Sequence, residues 1–146
     1  MITRIALPAL ALAAAPAFAA LNPHAALPAE QHRGDIAYMS GGIGQDEARA
    51  MRREASRYPL ELLFVQKRGK HDDFLADMPL TIENAKGDVV FRGRSSGPYF
   101  LARLPAGRYT ITSRANGRAL TRHVKVDGKA TERVVFEWRH EGRADA

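Results

Sequence analysis

The chain has 146 residues, 45% of them hydrophobic and 26% charged, with no cysteine. That is single-domain length at ordinary globular composition, enough to bury roughly two thirds of the unfolded surface. The lack of thiols excludes disulfide, redox and cysteine-nucleophile chemistry.

The formal charge of +6 is unevenly spread. Residues 20–91 carry 9 basic and 11 acidic side chains, while residues 92–146 carry 12 basic and 5 acidic. A basic second half favours anionic partners such as lipid head groups or acidic glycans. The plainer reading of the same excess is a solvated, arginine-rich sheet surface.

Residues 1–19 read as a signal peptide. Arg4 supplies the positive start, Ile5 to Pro16 is an apolar run, and Ala17-Phe18-Ala19 has the small-x-small pattern of a cleavage site, placing the cut between Ala19 and Ala20. The run contains Pro8 and Pro16 and is shorter than the ~20 residues a spanning helix needs, so a membrane anchor is the weaker reading. The expectation is an exported protein, periplasmic or secreted, that does not span the membrane after cleavage.

Residues 20–36 form an aperiodic lead-in with Pro23 and Pro28, and Asp35 to Met39 is a short extended candidate. Ser40-Gly41-Gly42-Ile43-Gly44 then precedes an expected helix over Gln45 to Arg57. Asp46 and Glu47 suit its positive end and Arg52, Arg53 and Arg57 its negative end. Ala48, Met51, Ala55 and Tyr58 form one apolar stripe, and Pro59 ends the helix. The glycine cluster lacks a Walker lysine, so freedom of the chain at the helix start explains it better than an anion cradle.

Beyond Pro59 the pattern is β. Leu60 to Gln66 is apolar on both faces and is expected to be covered on both sides. Lys67 to Asp73 reads as a charged loop. Met78, Leu80 and Ile82 alternate with Pro79, Thr81 and Glu83, and Ala85-Lys86-Gly87-Asp88 turns into Val89 to Arg92. Tyr99 to Ala102, the Pro105-Ala106-Gly107 turn and the strand after it follow. Asn116-Gly117 as a two-residue type I′ turn pairs Thr112 with Thr121, Thr110 with His123, Arg108 with Lys125 and Ile111 with Arg122. Arg122 thereby falls on the inward face, which places it at the sheet margin unless the register is off by one. A last strand over residues 131–138 turns Val134, Phe136 and Trp138 inward.

The expected fold is mainly β, an antiparallel two-sheet β-sandwich of six to seven strands with one N-terminal helix, a barrel being the alternative. The units are a signal peptide (1–19), a lead-in (20–36), a glycine-rich segment with the helix (37–59), the sandwich (60–138) and a polar tail (139–146).

Leu101-Ala102-Arg103-Leu104-Pro105-Ala106-Gly107-Arg108-Tyr109-Thr110-Ile111, with Asn116-Gly117, Val124-Lys125-Val126-Asp127-Gly128 and the apolar last strand, resembles the carboxypeptidase regulatory-like domain. These are transthyretin-like sandwiches, grouped with carbohydrate-binding-like and immunoglobulin-like folds. The resemblance covers about residues 60–138 and implies a folding or adhesion unit.

No catalytic motif accompanies it. Ser40, Ser95, Ser96 and Ser113 lack a G-x-S-x-G context, and the five histidines are scattered. His71-Asp72-Asp73 with Asp77 lacks the ordered spacing and closing glutamate of a calcium loop, and one local histidine is too few for zinc. No cofactor and no metal is expected. Two sets of binding residues remain, the basic sheet positions Arg92, Arg94, Arg108, Arg114 and Lys125, and the aromatic positions Tyr99 and Phe100 as platforms for a sugar. No aromatics interleave the basic set, so nucleic acid is not expected. The expected function is a non-catalytic exported binding module for a partner protein or envelope glycan. The alternative is an envelope-structural protein that meets anionic surfaces through the basic face, and a small hydrolase is less favoured.

Overall fold

The computed structural model describes residues 27–140, so the expected signal peptide and its cleavage site lie outside the described residues. Ten strands and one helix follow in order: β1 (Gln31–Arg33), β2 (Ile36–Gly41), α1 (Gln45–Glu54), a 3-10 turn (Ala55–Arg57), β3 (Leu60–Arg68), β4 (His71–Phe74), β5 (Met78–Asn84), β6 (Val89–Ser95), β7 (Tyr99–Ala102), β8 (Gly107–Ala115), β9 (Arg118–Val126) and β10 (Glu132–Arg139). They make a two-sheet sandwich. One sheet runs β1-β2-β7-β3-β10, with β4 added to β3 beyond the end of β7, and the other runs β6-β5-β8-β9.

The strand count exceeds the six or seven expected. Two of the additional strands are short: β1 comes from the lead-in and β4 from the segment read as a charged loop, which is instead a hairpin tip pairing Arg68 with His71 and Val65 with Phe74. Charge hid both strands, since neither buries a side chain. The pairing is antiparallel except that β10 lies parallel to β3, Glu132 beside Leu60 through Arg139 beside Lys67. That parallel pair needs a long crossover between its strands, here supplied by the whole second sheet.

The double-sided apolar pattern of β3 has its physical reason in this layering. Leu60, Leu62 and Phe64 face the second sheet, and with Phe136 of β10 they join Ile82, Phe91 and Ile111 in the main core. Leu63 and Val65 face the other way and are covered by Met51, Ala55 and Tyr58 from the helical segment. The helix stripe is the one that the spacing specifies, with Met51 fully buried.

Two close approaches set how β2 crosses the start of β7. A Cβ on Gly97 would collide with the backbone of Gly41. Gly42 takes φ 98° against the Tyr99 ring, and its N–H donates to Glu47 Oε1 at 2.8 Å, a carboxylate from the first helical turn.

Polar ties close the other end. The Tyr58 hydroxyl donates to Glu30, Arg103 Nε donates to the same carboxylate at 3.2 Å, and the Arg103 guanidinium lies over the Tyr58 ring. These bonds hold the Glu30 carboxyl below its ordinary range, while burial and Glu30 push Tyr58 up to about 12. Tyr109 donates to the Pro105 carbonyl at 2.6 Å, bracing the Pro-Ala-Gly turn as tyrosine corners do in other sandwiches.

Candidate functional site

The helix covers the outer side of the larger sheet, but among the described residues no helix lies over the outer side of β6-β5-β8-β9. The side chains that project there follow from alternation. Met78, Leu80, Ile82, Tyr109, Ile111 and Ser113 turn inward and are buried, so the residues between them turn out. Asn116 and Gly117 adopt φ 51° and 75°, as a type I′ turn requires, and every β8–β9 pair read from the sequence is the observed pair.

The outer rows can be followed across the sheet. Arg92 stands beside Thr81, Thr81 beside Thr112 and Thr112 beside Thr121, whose hydroxyls meet at 3.3 Å. Glu83 stands beside Thr110 and Thr110 beside His123, with Thr110 Oγ1 and His123 Nδ1 3.2 Å apart. Arg94 flanks Pro79, Arg114 flanks Ala119, and Arg108 lies directly opposite Lys125. The five basic positions therefore share one face. With strands about 4.8 Å apart, four strands span roughly 15 Å.

Their environments differ. Arg94 is committed, its Nε donating to Asp77 Oδ1 at 2.6 Å and its Nη2 to the Asp77 carbonyl at 2.7 Å. Asp77 itself sits at φ 55°, an unusual conformation for a residue with a Cβ, and the arginine fork holds it there. Arg114 Nη1 donates to the Gly117 carbonyl at 3.1 Å. Arg92 and Arg108 have no carboxylate partner among the described residues. The backbone N–H groups of Lys129 and Ala130 hold the Asp127 carboxyl below its ordinary range, and the nearby Lys125 charge adds to that.

Arg108 and Lys125 open onto a hollow of about 480 Å³ walled by Asn84, Thr110, His123 and the acidic Glu83. Like charges directly opposite on neighbouring strands destabilise a sheet, and an anion between them removes that cost.

The two aromatic positions are corrected by their burial. Phe100 is fully buried between the sheets, stacked on Tyr38 with centroids 5.5 Å apart and edge-on to Phe91 at 5.1 Å. Tyr99 is 3% exposed on the opposite face of the same strand, under the helix, and accepts a hydrogen bond from Arg52 Nη1 at 3.2 Å. Neither ring offers a face to a sugar. Sheet alternation sends one into each core because β7 is a central strand flanked by β2 and β3. Trp138 packs inward as its parity requires, and its Nε1 donates to the Arg118 carbonyl at 3.0 Å.

The metal-capable side chains at 71–77 lie along the β4 hairpin, with Asp73 held by Arg68 Nε at 2.7 Å. Among the described residues no three His, Asp or Glu side chains converge as a metal site. Sequence reasoning missed a second concavity beside the helix start. Its signal was Ile43, an apolar residue in a glycine run with no strand or helix to bury it.

No protein-family profile and no curated protein matches the chain. Among solved structures it is similar to GBS52, the minor pilin of Streptococcus agalactiae, at 17% identity and TM-score 0.49, covering 60% of this chain and 46% of that one. It is also similar to S.CueP at 10% identity and TM-score 0.38, covering 51% and 59%. The chain thus spans about half the length of the structures it matches. Among the described residues no helix is long and apolar enough to cross a membrane.

Proposed function

We propose that the protein is an exported, non-catalytic binding module that holds an acidic envelope glycan or similar anionic polymer on the outer face of the four-stranded sheet. The observation that carries this reading is the shared register of Arg92, Arg94, Arg108, Arg114 and Lys125 on a sheet face that no helix covers among the described residues. Burial of Tyr99 and Phe100 removes the aromatic version of glycan binding and leaves the electrostatic one. Kinship with carboxypeptidase regulatory-like domains belongs to the same proposal. It rests on the Leu104-Pro105-Ala106-Gly107-Arg108-Tyr109 turn and its braced tyrosine.

The mechanism is attraction by an array of cations. The exposed arginines pair with carboxylate or sulfate groups through forked N–H donors. The interspersed threonines add neutral donors and acceptors. Such binding weakens with added salt, because exposed charges are screened within about 8 Å at physiological ionic strength.

Heparin serves as the probe polyanion. An Arg108→Glu/Arg114→Glu double variant is expected to lose at least about tenfold in affinity, the equivalent of roughly 1.4 kcal/mol. An Arg53→Glu/Arg139→Glu variant of equal net charge is expected to bind as the parent does. Equal loss in both variants would reduce the effect to net charge and refute the site.

A further inference from the structure

The second concavity lies between the start of α1 and the junction of β4 with β7. It encloses about 640 Å³, within the range of small-molecule sites, which run to roughly 300–1,000 Å³. Its apolar walls are Ile43, Ala48, Phe74 and Pro98, and its charged groups are Arg49 and Arg52. No acidic side chain lines it among the described residues.

Ile43 and Phe74 are 64% and 59% exposed, the two most exposed large apolar side chains described. They stand on separate elements, the glycine run and the end of β4 farthest from its hairpin turn, and line the same groove. Single exposed apolar residues are ordinary on protein surfaces, but two bordering one concavity make an apolar site. Arg52 is fixed by its bond to the Tyr99 hydroxyl. Among the described residues Arg49 meets only Asp46, at 3.6 Å with both side chains largely in water, a weak and screened pair.

From this pairing of an apolar trough with two cations and no acidic side chain among its described lining residues we infer a binding site for an anionic amphiphile, a single alkyl or acyl chain carrying an acidic head. The chain lies along Ile43, Ala48, Phe74 and Pro98, and the head group takes donors from Arg49 and Arg52. The trough accounts for the exposed rings and branches, and the arginines account for the charge of the ligand. The site is separate from the basic sheet face and does not depend on it.

Laurate tests it below its micelle concentration by titration calorimetry on the chain from Ala20 onward, with dodecanol as the uncharged counterpart. Saturable one-to-one binding of laurate, weaker binding of dodecanol, and at least about a tenfold loss in both Phe74→Ser and Arg49→Gln/Arg52→Gln are expected. Ile43→Ser is the second apolar variant should Phe74→Ser disturb the hairpin. Arg108→Glu/Arg114→Glu is expected to leave laurate binding unchanged, which separates this site from the sheet face.

Co-sedimentation with phosphatidylglycerol vesicles, lost in the same groove variants, would place the amphiphile in a bilayer rather than in free solution and equally support the site. Absence of binding to laurate and vesicles alike, or binding that Phe74→Ser and Ile43→Ser leave intact, overturns it. So does self-association that the groove variants abolish without any laurate binding, since the occupant would then be a second copy of the chain.

Discussion

Glu61 shows how a single residue position constrains this sandwich. It lies on β3 on the helix-covered face, only 7% exposed, beside Leu101 on one neighbouring strand and Arg133 on the other. Burial pushes its carboxyl above the ordinary 4.5, and Arg133, at 3.8 Å, offsets only part of that. The folded state therefore holds the Glu61 proton more tightly than the unfolded chain does. The contribution of this group to stability falls as pH rises from about 4.5 through the raised folded value. Glu61→Gln removes the titration. We expect its stability relative to the parent to increase as pH is raised above 4.5 in urea unfolding series, with the two proteins alike below it. A parent that gains on the variant over that range would mean that the Arg133 pair outweighs burial. Arg122 is the complementary case. Its inward parity was the apparent misfit in the hairpin, and its guanidinium lies 5.5 Å from the Phe136 ring centroid at the sheet margin, so the register stands.

At the scale of elements, close backbone approach is what locks β2 to β7. Gly97→Ala is expected to cost about 1–3 kcal/mol in denaturant unfolding, because its Cβ would strike the Gly41 backbone, which has little room to give. Gly117→Ala meets no atom and is expected to show only left-handed backbone strain, about 1–2 kcal/mol. A Gly97→Ala protein as stable as the parent would show that the two strands can separate freely there.

Elements also explain what was legible in the sequence. The helix, the two glycine-turn hairpins and the β8–β9 register were readable because local rules determine them: a 3.6-residue stripe, a residue pair suited to positive φ, and alternation. The parallel β3–β10 pair was not, since nothing local records which strand lies beside an edge about 70 residues away. β1 and β4 escaped because a strand with no buried side chain has no apolar period to read. Parity placed Arg108, Arg114 and Lys125 on one outer face, and the β5–β6 pairing puts Arg92 and Arg94 on it too. Tyr99 and Phe100 were misread because adjacent aromatics on a strand point to opposite faces, and whether both faces are covered depends on the layers around them.

For the molecule as a whole, the two faces of the sandwich have been spent differently. The larger sheet carries the helix and a second apolar layer, and the smaller sheet leaves its cations and threonines on a face that no helix covers among the described residues. Covering one side with a helix secures the core, so the other side is free for surface chemistry. We propose that this charged plane is the binding surface. Backbone amide shifts followed during titration with a short heparin oligosaccharide test it most directly. The account predicts saturable, salt-sensitive shifts concentrated at Arg108, Thr110, His123 and Lys125, with the helix and β10 unmoved. Shifts centred on α1 or β10, or none at low salt, would contradict it.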